Sequence, residues 1–70
     1  MSDDILAKVL TERKLAEQRA WKALAGYKFY MFGYWAAAWV KYNQLLPPGM
    51  VDPSPFRALV EIGRANKEGR

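Results

Sequence analysis

Cysteine and histidine are both absent from this 70-residue chain. Without cysteine there is no disulfide framework and no thiolate. Without histidine the commonest general base and the commonest metal ligand are missing together. Serine occurs only at Ser2 and Ser54, and both positions read as helix caps rather than nucleophiles. No glycine-rich phosphate loop and no metal-ligand spacing is present. The expectation is therefore a protein with no catalytic residues, no cofactor and no metal, and not an enzyme. Long apolar runs are also lacking. The uncharged run between Lys28 and Lys41 is twelve residues, whereas a membrane span takes about twenty. A crossing helix is not expected. Dense positive charge is missing too: the net charge is +4, spread over both ends of the chain. A nucleic-acid binder concentrates its basic residues in one patch.

What is present is an excess of aromatic side chains. There are three Trp, four Tyr and three Phe, and all but Phe56 lie between Trp21 and Tyr42. One small domain over residues 1–70 is expected. A chain this short buries only about 60% of its unfolded surface, and disulfides and a metal are not there to help. An aromatic core, oligomerisation, or both must hold it together. The acidic start Met1-Ser2-Asp3-Asp4 is unlike the basic start of a secretory signal, so the cytoplasm is the expected compartment.

The pattern predicts an all-α fold. Ser2 with Asp3 and Asp4 supplies a cap and first-turn acids. Ala, Leu, Lys, Glu, Gln and Arg then dominate as far as Leu46. Pro47 and Pro48 force a stop, residues 47–55 make a stiff connector, and Ser54-Pro55 opens a second helix to about residue 66. At 100° per residue, Ile5, Leu6, Val9, Ala16, Ala20 and Leu24 share an arc with Tyr27, Met31, Tyr34, Ala38, Tyr42 and Leu45. The stripe passes Gly26 without a phase slip. The reading is one long helix over about 4–46, bent at a glycine, with a short helix over about 55–66 packed back on it. The alternative is a three-helix bundle broken near Gly26. A helix over 4–46 would be about 65 Å long. The short helix cannot cover that length, so a homo-oligomer or a complex with another protein is expected.

The segment Tyr27–Val40 is apolar around the whole helix. Met31, Tyr34, Trp35, Trp39 and Tyr42 are its bulky packing residues. Gly26, Gly33 and Ala37 form a flat face, with Gly33 and Ala37 at the small-xxx-small spacing that lets helices approach. The plain reading makes both faces core; the sharper one makes one of them a groove for a partner. Phe56 is expected to anchor the second helix. Arg13 and Glu17, four apart beside the stripe, are either an edge pair or an ion pair between chains. Nucleobase stacking on these aromatics is not favoured, because that use sits beside denser positive charge.

The run Tyr34-Trp35-Ala36-Ala37-Ala38-Trp39-Val40, with Asn43, Pro55-Phe56 and Leu59-Val60, resembles a pattern in small uncharacterised bacterial and phage helical proteins. The resemblance covers residues 34–60. It implies a prokaryotic or mobile-element origin and carries no activity. The function expected is a non-enzymatic helical protein–protein interaction module. Homo-oligomeric assembly and an accessory role that binds or blocks another protein fit it. A small basic nucleic-acid-associated protein and a membrane-surface protein are the alternatives.

Overall fold

The computed structural model describes residues 2–68, and every regular element in it is helical: α1 (Asp3–Ala25), α2 (Phe29–Gln44), one 3-10 turn (Pro48–Met50) and α3 (Arg57–Glu68). α1 starts as its sequence directs. The Ser2 hydroxyl accepts a hydrogen bond from the Ile5 amide at 3.3 Å, and Asp3 and Asp4 occupy the first turn. Both acids complement the positive end of the helix dipole.

The single helix over 4–46 gives way to an antiparallel hairpin. α1 ends at Gly26, and the Tyr27 amide donates to the Leu24 carbonyl at 3.0 Å while the Lys28 amide reaches back to Ala23 at 2.8 Å. These two bonds close a Schellman turn, which requires a left-handed residue at its centre. That residue is Tyr27, with φ 59°, one position after the glycine. The break near Gly26 is thus the arrangement adopted. Phase continuity did not exclude it, because a hairpin folds the two halves of one stripe against each other.

The core is α1's alanine face packed on α2's aromatic face. Ala16, Ala20 and Ala23 are buried, with Ala20 0% exposed. Their 4- and 3-residue spacing keeps them on one side of α1, and Trp39, Phe32, Trp35 and Ala36 of α2 pack into that side. The close-approach face is therefore on α1. Gly33 and Ala37 point to solvent instead, and a β-carbon on Gly33 would meet nothing within 4 Å. Sequence spacing located small residues correctly but not which of them face a neighbour.

α1 has 23 residues and α2 has 16, so α1 is the longer by about 10 Å at 1.5 Å per residue. Cross-helix neighbours Trp21 with Phe32 and Arg19 with Trp35 fix the antiparallel register. In that register the first two turns of α1 run past the end of α2. After Leu46 the proline connector folds across one side of the hairpin, and Phe56 is seated in the core at 6% exposure. α3 itself is not packed back. Among the described residues it makes no close backbone approach to α1 or α2, and Val60 and Ile62 are exposed. Docking stops at Phe56, the residue before α3 begins. The whole particle measures 48 × 26 × 12 Å.

Candidate interaction surface

The two sides of the hairpin differ. One side is closed by the connector, through a polar clamp and an aromatic plug. In the clamp, one Arg13 guanidinium nitrogen donates to Asn43 Oδ1 at 2.6 Å and to the Met50 carbonyl at 3.1 Å. The other donates to Asp52 Oδ2 at 2.8 Å. Asn43 returns the contact: its Nδ2 donates to the Asp52 carbonyl at 3.0 Å, and its Oδ1 accepts from the Asp52 amide at 3.1 Å. Asn43 is the one buried polar side chain among the described residues, and these bonds satisfy it. The Arg13 side chain is only 13% exposed and lies 5.8 Å over the Trp39 ring. In the plug, Phe56 packs its ring 4.9 Å from Trp21, 5.4 Å from Phe32 and 6.2 Å from Trp39, all tilted or edge-on. Such geometries suit aromatic quadrupoles.

The expected Arg13–Glu17 pair is not formed within the chain. Arg13 is committed to the connector, while Glu17 pairs with Lys14 at 3.9 Å and accepts from the Trp21 indole at 3.3 Å. The reason is reach: a guanidinium buried against Trp39 faces α2, not along α1.

The opposite side is open. Between the end of α1 and the start of α2 lies a groove of about 480 Å³ lined by Arg19, Lys22, Ala23, Gly26, Lys28, Met31 and Trp35. Three cations and no carboxylate line it. Arg19 stacks over Trp35 at 4.8 Å, which leaves an apolar floor beneath positive walls. The open side continues along α2 through Tyr34, Ala37, Ala38, Lys41 and Tyr42, which line a second shallow depression. Outward from these stand Tyr27, Tyr30 and Leu45, with Tyr30 93% exposed.

The sequence-predicted residues thus fall into three groups. Trp39 and Phe56 are core. Trp35 and Tyr42 are half-buried on the open side, with Met31 and Tyr34 exposed beside them. Gly26 sits in the turn and lines the groove, Ala37 is exposed in the second depression, and Gly33 lies on the outer surface. Asn43, Asp52 and the trio Arg19, Lys22 and Lys28 were not singled out by sequence reasoning as a site. Asn43 alone carried a signal, a lone amide at core phase on α2. Among the described residues, no helix is long and apolar enough to cross a membrane, and no group of acidic residues is placed to hold a metal ion. No family model, curated protein or solved structure matches the chain.

Proposed function

We propose that this chain is a non-enzymatic helical interaction module that works as a homo-oligomer. In this reading it binds or blocks another protein in the cytoplasm, an accessory role of the kind phages and mobile elements encode. One observation carries the reading. α1 and α2 lie side by side as one pair, and among the described residues α3 packs on neither, whereas a stable domain closes its core between packed layers. Only one side of the pair is covered, by the connector. The other presents Met31, Tyr34, Trp35, Ala38 and Tyr42, on a particle whose outline is 48 × 26 Å. That outline accommodates the roughly 800 Å² per partner that a stable interface takes.

Sedimentation equilibrium over a dilution series tests this, with Tyr34→Lys as the probe. Tyr34 is exposed, so the variant should fold like the wild type and self-associate at least tenfold more weakly. A wild-type chain that sediments as a monomer at every concentration contradicts the proposal.

A further inference from the structure

The hairpin end carries aromatic rings that the fold does not use. Tyr27, Phe29 and Tyr30 stand there at 81%, 63% and 93% exposure, outside the core cluster. Tyr27 and Phe29 pair edge-to-face at 6.1 Å. Tyr27 also holds φ 59°, a conformation that glycine adopts freely and tyrosine does not. Turns place glycine, asparagine or aspartate at such positions. Here a strained residue holds its ring in solvent and gives the core nothing. Strain kept at an exposed side chain points to a role for that side chain in contact with something else.

The charge at this end has one sign. Between Glu17 and Asp52 the chain has no acidic residue, while Arg19, Lys22, Lys28 and Lys41 fall in that stretch. Lys22 and Lys28 flank the turn, and with Arg19 they line the groove that reaches Gly26. Glu17, the acid of α1 closest to the turn, lies about 12 Å back along the axis and is engaged by Lys14 and the Trp21 indole. Asp52 is held by Arg13. α3 has three basic and two acidic side chains, so it brings no net negative charge. The end of α1 and the start of α2 meet at the turn, and their opposite helix-end charges offset each other. Lys22 and Lys28 therefore set the sign, with Arg19 about 9 Å behind the end of α1, close to one Debye length.

We infer that the hairpin end, through Tyr27, Phe29, Tyr30, Lys22 and Lys28, seats on an anionic lipid surface. Binding at a membrane interface grows with the apolar area inserted and with attraction to anionic headgroups; this end offers both. Tyrosine rings suit the headgroup boundary, with the ring in the apolar layer and the hydroxyl wet. Lysine stems can lie along that layer while their ammonium groups reach phosphates. The contact is superficial, since no helix among the described residues is long and apolar enough to cross. A nucleic acid fits less well. Stacking proteins set rings along a cationic track, whereas Tyr27 and Phe29 are turned edge to face and the cations lie to one side in the groove. Tyr34, Trp35, Ala38 and Tyr42, which the proposed self-association covers, take no part, so lipid binding and assembly stand or fall separately.

Flotation of the full chain with phosphatidylcholine vesicles, with and without about one-third phosphatidylglycerol, tests this. The wild type should bind the anionic vesicles at least tenfold more tightly than the neutral ones, and 1 M salt should remove the difference. Tyr27→Gly should melt higher than the wild type yet bind anionic vesicles several-fold more weakly, a pair of results that loss of folding cannot give. Tyr30→Ser removes a ring that is 93% exposed and should weaken binding without moving the melting temperature. Lys22→Gln with Lys28→Gln, both exposed, should abolish the preference for anionic vesicles. Circular dichroism checks that each variant is folded. A wild type that ignores both vesicles or binds them equally overturns the proposal. So do Tyr27→Gly and Tyr30→Ser variants that bind as tightly as the wild type. A chain that binds a single-stranded oligothymidine, loses that binding in the same variants and leaves vesicles alone overturns it in favour of nucleic acid. A monomeric chain that binds anionic vesicles contradicts self-association and leaves lipid binding standing.

Discussion

Replacing Phe56 by alanine is the most informative single perturbation of the fold. The side chain is 6% exposed and touches the rings of Trp21, Phe32 and Trp39. Truncating a buried phenylalanine costs about 3–5 kcal/mol, in lost transfer energy plus the cavity left behind. Each well-placed aromatic pair adds about 0.5–1.5 kcal/mol beyond burial, which puts Phe56 toward the upper part of that range. A single hydrophobic core in a domain this small supplies only about 3–5 kcal/mol in total. Phe56→Ala should therefore be largely unfolded at 25 °C in water, or hold the hairpin with the connector detached. Urea titration followed by tryptophan fluorescence reads the effect at its source, because Trp21 and Trp39 line the vacated space. Both proteins must be compared at one concentration, since association adds to apparent stability. Phe56→Leu should lose much less, as it keeps most of the apolar volume. A loss under about 1 kcal/mol for Phe56→Ala would refute the reasoning, since a buried ring with three aromatic neighbours does not go so cheaply.

Five further outcomes are expected. Gly33→Ala should stabilise by about 1 kcal/mol through helix propensity alone, because nothing lies within 4 Å of the added methyl; a lower melting temperature would show that this face is packed. Tyr27→Gly should also stabilise by about 1 kcal/mol, by relieving a left-handed conformation at φ 59°, measurable in the same melts. Arg13→Ala should cost about 2–3 kcal/mol in a urea titration, leaving Asn43 and the Met50 carbonyl short of a charged donor. Asp52→Asn, with a partner carboxylate largely in water, should cost less than about 1 kcal/mol. Backbone amides of residues 57–68 should exchange rapidly with deuterium, since among the described residues α3 packs on neither α1 nor α2 and a helix this short is marginal alone; slow exchange there would mean that α3 is docked.

Helix content was legible because it is written in local chemistry. The Ser2 cap, the absence of proline before Pro47, and the alanine- and leucine-rich composition between them act on the residues that carry them. The stop at Leu46 was legible for the same reason. The hairpin was legible only as the alternative, a break near Gly26, because its left-handed residue is Tyr27 and tyrosine gives no sign of positive φ. In the aromatic segment hydrophobic phase had no power to discriminate: α2 is apolar all round as far as Val40, so Gly33 and Ala37 looked as eligible for packing as Ala16 and Ala20. What decided between them lies outside the segment. Opposite Ala16, Ala20 and Ala23 stands a tryptophan-rich face with volume to fill; opposite Gly33 stands nothing. The polar clamp was hidden by distance, since Asn43 and Asp52 lie thirty and thirty-nine positions from Arg13 along the chain. Phe56 was legible as an anchor because it is the one aromatic beyond Tyr42. That it anchors the connector while α3 stays free was not.

The central claim is that the open side of this helix pair is covered by a second copy. Small-angle X-ray scattering on an absolute scale tests it most directly, because one measurement returns both mass and shape. The account predicts a mass of twice 8.0 kDa and a radius of gyration above the 13.9 Å of the single chain, with both falling together on dilution. A mass of 8.0 kDa that does not change from millimolar to low micromolar concentration would contradict it.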